Sequence, residues 1–349
     1  MSVRALLFSG VMLLAFTTQL HAQNANELNV LGWCDIQDPN VLKPFEDANN
    51  VKIKVKTHED ASAANNILLT SSPGEWDVVH TDTAFIPQHV ASGVLEPLDT
   101  KNLPIPDFVS SAVRPELNQV NGIQYGLTNK MGVESIVYDS SRVSPDEVSS
   151  LKFMFDPKYK NRLGIWDFYV LGIQLVAMSQ GLDPSKLKEE DIPLLREKLG
   201  EFKSNVAMIG DPAAAMTAIA SGDIDIMLGG GDWLGKVMSE NKNMRWTVPK
   251  EGGLYYLTST AIVKGTTKPE LANKFVRYLS SPEGQARLAV ADCYWVAPVN
   301  KKTQLDPRVA EILNLDKIEE LLSRSHLQTY WSGDFDKEMQ TLWAEFLQK

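Results

Sequence analysis

Two cysteines and five histidines in 349 residues leave little material for thiol or metal chemistry. There is no HExxH, no CxxC and no G-x-S-x-G, and neither Cys34 nor Cys293 has a histidine close by in sequence. His80, Asp82 and His89 lie near one another but read as loop or surface residues rather than a ligand set. The run "LGGGDWLG" at 228–235 lacks the Lys-Ser/Thr ending of a phosphate loop and the spacing of a dinucleotide fingerprint. Its glycines read instead as close backbone approach before a helix, with Asp232 at the helix start. No cofactor or metal is expected.

Positive charge is also scarce: 34 Lys and Arg stand against 44 Asp and Glu, for a formal charge of −10. With no polybasic run and no low-complexity tract, nucleic acid and anionic lipid are set aside as partners. Only one long apolar run is present, Ala5–Phe16, preceded by Arg4 and followed by Leu20-His21-Ala22. That three-part layout is a secretory signal peptide cleaved near Ala22, too short for a comfortable membrane span. An uncleaved anchor or a buried N-terminal helix is the alternative. Cleavage leaves about 327 residues, more than one simple core holds and suited to two lobes. In an exported chain Cys34 and Cys293 are either one long-range disulfide or two buried thiols.

What is present is an alternation of strands and helices. Leu28–Trp33, Val51–Val55 and Asp77–His80 read as strands, separated by helical spacing over Val41–Asn49 and Ala61–Leu69. A second series begins near Gly132 with "GVESIVYD", a helix starting at Pro145–Leu151, the strand "RLGIWD" and the apolar helix Val170–Gln180. Charged amphipathic spacing over 185–203 predicts a helix, and "DIDIMLGG" a strand. From Ser259 the chain returns through "TAIVKG" and a helix pair, and ends in helices over roughly 307–323 and 334–347. The fold expected is α/β with two lobes, each a mainly parallel sheet flanked by helices, and a small-molecule cleft between them.

Aromatic residues and acids recur at strand ends: Trp33-Cys34-Asp35, Thr81-Asp82-Thr83, Trp166-Asp167, Asp232-Trp233, Tyr255-Tyr256-Leu257-Thr258 and Cys293-Tyr294-Trp295. Ligands of open α/β sheets bind outside the carboxyl ends of strands. Aromatic faces with interspersed carboxylates suit a cation.

Over nearly the whole mature chain these pieces, with "LKPFEDANNVKIKV", "GEWDVVHTD", "GIQYGLTNKMGVESIVYD", "PKEGGLYYLTSTAIVKG" and "KPELANKFVRYLSSPEGQ", resemble the spermidine/putrescine-binding family of periplasmic solute-binding proteins. The resemblance implies a type II-like periplasmic-binding-protein fold that closes over an amine and delivers it to an ABC permease of the inner membrane, as a monomer. It implies lobe one at 28–130 plus 259–303 and lobe two at 131–258 plus 304–349. Trp33, Asp82, Asp167, Tyr256 and Tyr294 match wall aromatics and acids, and Asp35 joins the candidates from its place at the first strand's end. Departures follow the same alignment of motifs. Thr258 stands where the family favours Asp, Met131 preceded by Lys130 stands where it favours Trp, and no second acid follows Asp167. Asp232 is the candidate for the missing charge. Fewer acids and Lys130 favour a smaller amine, or a zwitterion such as an amino acid, opine or 4-aminobutyrate. A secreted hydrolase or lyase with a triad assembled in space is the rival from another class.

Overall fold

The computed structural model describes residues 26–58 and 61–348; the signal-peptide reading of 1–22 lies outside them. The longer strands are β1 (Glu27–Gly32), β2 (Lys52–Thr57), β3 (Val78–Asp82), β4 (Gly126–Asp139), β5 (Leu163–Trp166), β6 (Val206–Gly210), β7 (Ile226–Gly231), β8 (Met244–Thr247) and β9 (Leu254–Val263). They form one sheet in the order β2-β1-β3-β9-β4-β7-β5-β6, with β8 joined to β4.

Its two outer parts are parallel. β1 pairs parallel with β2 and β3, and β5 pairs parallel with β6 and β7. Helices make those crossovers, as parallel pairing requires. In the first, α1 (Pro39–Asn49) starts where the Asp38 carboxylate accepts the Asn40 N–H, and it buries Val41, Leu42 and Phe45. It ends at Asn50 in the left-handed region, φ 48°.

The centre differs from the mainly parallel expectation. β4 and β9 pair antiparallel with each other, β9 is antiparallel to β3, and β4 is antiparallel to β7 and β8. The reason is the route of the chain. It crosses from one half to the other along β4 and returns along β9, so the two neighbouring crossings run in opposite directions. All 14 residues of β4 are buried. Thr258 of β9 faces Lys130, but Ser259 faces Thr128, so Asn129 is an extra residue in β4 at mid-strand. Such a bulge bends a strand and increases its twist.

Three helix expectations change. Residues 145–151 form no α-helix; the Ser144 N–H and hydroxyl both donate to the Glu147 carboxylate, closing a turn, and Glu251 takes Ser150 Oγ and Leu151 N. The helix expected over 185–203 is α-helical only over Ile192–Lys203. The one expected over 307–323 is two pieces, Pro307–Ile312 and Ile318–Ser323, separated by Asn314 at φ 52°. The C-terminal helix Gly333–Gln348 buries Met339, Leu342, Trp343 and Phe346, and Phe346 stacks on Phe202. No described helix is long and apolar enough to cross a membrane.

Of the two cysteine readings, the bridge is the one found: Cys34 and Cys293 are disulfide-bonded, with Cα atoms 6.0 Å apart across 259 residues of sequence. The Asp38 carboxylate reinforces this junction by accepting the Asp292 N–H. Thiol titration of the unfolded, unreduced protein should therefore find no free cysteine. Reduction should lower the unfolding free energy by about 2–5 kcal/mol in denaturant titrations, because the bridge closes a long loop.

Candidate ligand-binding site

Directly opposed residues of paired strands share a face, as do residues two apart on one strand. The register therefore gathers Lys130, Gly132 and Glu134 of β4 with Thr258, Tyr256 and Leu254 of β9, and Asp82 of β3 with Thr258. Gly132 has a specific use here. A side chain on it would overlap the Tyr256 ring and hydroxyl, so glycine lets that ring lie against β4.

At one end of this face Lys130 is fully buried, and its Nζ donates to Asp35 Oδ2 at 2.5 Å and to the Tyr294 hydroxyl. The same ammonium lies 4.7 Å from the centroid of the Tyr294 ring, a cation–π distance. Asp35 and Tyr294 each follow a cysteine of the bridge, so the disulfide holds together the two loops that grip Lys130. Burial opposes ionisation of Asp35, yet Lys130 draws its carboxyl below the ordinary range. Burial also lowers the Lys130 ammonium from its usual value, against the pull of Asp35, Asp82 and Asp232. Among the described residues, the buried atoms Asp35 Oδ1, Trp33 Nε1 and Thr258 Oγ1 have no hydrogen-bond partner.

At the other end Tyr330 donates to Asp82 Oδ2 at 2.6 Å, and Gln328 Nε2 donates to Glu134 Oε2 at 2.7 Å. Glu134 is buried near Asp82 and Asp232, and its carboxyl is pushed well above the usual value by burial and then by those charges. A small pocket opens here between Asp82, Tyr256, Gln328 and Tyr330. Another pocket lies between Phe108, Arg114, Gln124 and Leu127 and contains none of the candidate residues.

Asp232 is 1% exposed and already engaged by backbone. Its Oδ1 accepts Val133 N and Trp233 N, and its Oδ2 accepts Ala297 N, at 3.1–3.2 Å. Burial raises its pKa to about 7 despite those donors. It thus pins β4, β7 and the 297–298 segment beneath the site and adds a titrating charge to it.

The structure brings together eight of the nine candidate residues in this way. Trp33 is half-buried against the His58 ring at 4.3 Å, beside Asp35. Asp167, the ninth, is exposed at the end of β5, and its Oδ1 accepts Trp343 Nε1 from the C-terminal helix. Missed by the sequence reading were Glu134, Gln328 and Tyr330. Glu134 was legible as a lone acid in the apolar strand "GVESIVYD", two residues on from Gly132. Gln328 and Tyr330 carry no local signal, since a two-residue pairing of His326–Leu327 with β9 is what places them. Of the histidines first considered for metal, His80 meets Asn129 Oδ1 and His89 meets Asn65 Oδ1. Among the described residues no group of three acids, histidines or cysteines is arranged to hold a metal ion.

The sequence model of the bacterial extracellular solute-binding proteins matches residues 40–314. The chain belongs to that family. It is 22% identical to the spermidine/putrescine-binding periplasmic protein of Salmonella typhimurium, over 99% of this chain and 97% of that one. Its fold is similar to the spermidine/putrescine ABC transporter substrate-binding protein of Streptococcus pneumoniae, solved with calcium and HEPES. That match has TM-score 0.78 and 17% identity over 93% of this chain and 99% of the other. The Atu4243-GABA receptor matches at TM-score 0.70 and 18% identity over 92% and 97%. The two-lobed periplasmic-binding fold and a place outside the cytoplasm follow from these relations, and a disulfide suits that compartment.

The raised Asp232 pKa has a definite sign in stability. The unfolded carboxyl loses its proton near pH 4, the folded one only at about 7. Between those values the folded state binds more protons, so this group's contribution is full below pH 4 and lost as pH rises to 7. Relative to the parent, Asp232→Asn should gain up to about 1.4 kcal/mol of stability per pH unit across that window, read from denaturant midpoints at each pH. A flat parent–variant difference would show that Asp232 titrates normally.

Proposed function

We propose that this chain is the solute-binding component of an ABC importer and captures a small amine-containing solute by its ammonium group. The observation that carries the reading is the charge balance of the site: Asp35, Asp82, Glu134 and Asp232 are buried around Tyr256, and among the described residues Lys130 is the one buried lysine or arginine. Acids crowded together in a buried site are costly to ionise, and a bound ammonium offsets that cost through charge-assisted hydrogen bonds. Tyr256 and Tyr330, both partly exposed, supply aromatic faces beside Asp82. The names of the similar proteins, which include spermidine, putrescine and GABA binders, point to the same chemistry.

In this reading the lobes are 28–130 with 259–303 and 131–258 with 304–349, and they close over the solute without making or breaking a bond. The shift in pairing between Thr258 and Ser259 falls between those segments and gives the crossing strands a place to bend. The closed monomer then docks on a membrane permease.

Thermal-shift and calorimetric titration of the mature chain with putrescine, spermidine, butylamine, 4-aminobutyrate and a neutral sugar tests this directly. At least one amine should raise the melting temperature by mass action and the sugar should not. Asp82→Asn and Tyr256→Ala should each weaken that amine by at least about tenfold, the loss expected for one charged hydrogen bond or one aromatic wall. Failure of every amine, or turnover of one, would sink the proposal.

A further inference from the structure

Residues 326–331 form a short strap that runs past the site into the C-terminal helix. Several bonds fasten this strap to segments assigned above to lobe two. The His326 N–H donates to the Gly253 carbonyl and the Gln328 N–H to the Tyr255 carbonyl, each at 2.9 Å. Gln328 Nε2 donates to Glu134, and the Gln174 side chain bonds both the N–H and the carbonyl of Thr329. The Trp331 ring lies 6.0 Å from that of Tyr169 and 6.1 Å from that of Phe335.

Tyr330 reaches the other way. Its hydroxyl donates to Asp82 Oδ2 at 2.6 Å, the shorter of two contacts, the other being Gln328 Oε1 within the strap at 2.9 Å. Its ring stands edge-on to that of Phe85, with centroids 4.8 Å apart. Asp82 ends β3 and Phe85 lies in the turn after it, both in the segment assigned to lobe one. Tyr330 also lines the pocket beside Asp82, together with Tyr256, Leu117 and Leu327. A short hydroxyl–carboxylate bond is among the stronger hydrogen bonds, and an edge-to-face aromatic pair adds to it.

We propose that Tyr330 is a latch that fastens the strap of lobe two onto lobe one, holds the lobes closed beside the pocket and slows the solute's release. Every group in the latch belongs to the chain, so the contact makes and breaks with the motion of the lobes themselves. Because the other bonds keep the strap on lobe two, opening has to break the Tyr330–Asp82 bond and part the Tyr330 and Phe85 rings. The latch thereby raises the barrier to opening, and opening limits release. This inference rests on the two-lobed, amine-binding reading above.

The test compares the mature parent chain with Tyr330→Phe, which keeps the ring and loses the hydroxyl, and Tyr330→Ala, which loses both. Small-angle X-ray scattering without added amine reads the opening of the lobes. Stopped-flow displacement reads the release of putrescine, spermidine, butylamine and 4-aminobutyrate. The variants should have a larger radius of gyration than the parent, alanine more than phenylalanine. They should release a bound amine at least about tenfold faster, the change expected for one lost charged hydrogen bond. The phenylalanine variant alone serves if the alanine variant fails to fold. A tyrosine that is only a wall of the pocket would speed release and leave the scattering unchanged. Folded variants as compact as the parent would therefore overturn the latch while leaving amine binding intact. Opened variants that release amine at the parent's rate would overturn its control of release. A parent that binds none of the four amines would overturn the amine-binding reading, and the scattering would then decide the latch by itself.

Discussion

The antiparallel pairing of β4 with β9 is the constraint on which the rest depends. One register, Thr258 against Lys130 and Tyr256 against Gly132, decides which side chains share the face of the site. A slip of β4 by one residue would turn Lys130 and Glu134 to the other side of the sheet, away from Tyr256, and put Met131 and Ser135 in their places. Several devices oppose such a slip. Asp232 ties β4 to the 297–298 segment through the Val133 and Ala297 N–H groups, and the bulge at Asn129 is held by bonds from Asn129 to Thr260 and His80. Part of the polar content of this face is therefore spent on fixing the register.

The disulfide adds a second, independent constraint. β1 and the 291–298 segment lie 259 residues apart along the chain, and each delivers a residue to Lys130 immediately after a bridged cysteine. Backbone contact strengthens the junction through Asp38 and Asp292 N. Two loops that would otherwise be ordered separately are ordered together, which lowers the entropy lost when the site forms.

Much of this was legible in the sequence, for physical reasons that differ by element. The parallel outer strands announced themselves by apolar runs separated by helical spacing, and the aromatic–acid pairs marked strand ends because short-range order places strand ends. Asp35, Tyr256, Thr258 and Tyr294 could be named for that reason, and Lys130 from the family resemblance. The central strands were harder, since a strand buried along all of its 14 residues has no alternation to reveal its direction or partners. Asp167 shows the limit from the other side. At the end of β5 its Oδ1 accepts Trp343 Nε1, a partner 176 residues later that no local stretch encodes. Likewise Gln328 and Tyr330 reach the site through a pairing with β9 that no short stretch encodes. The break at Asn314 and the turn closed by Glu147 replaced helices because local side-chain bonds and a left-handed residue outweighed helical spacing.

A buried lysine–aspartate pair is a poor device for stability alone. Removing two ions from water costs several kcal/mol each, and well-packed apolar replacements are often neutral or stabilising. Met131, the next residue in the same strand, shows that β4 accommodates a long apolar side chain in full burial. The Lys130–Asp35 pair therefore has to be explained by where it is rather than by what it adds to the core. It lies on the face of the sheet shared with Tyr256 and Thr258, within the field of Asp82 and Asp232, and under the aromatic ring of Tyr294. An ammonium fixed there sets a positive charge among the buried acids of that face, so the two residues that cost the fold stability give the face its polarity.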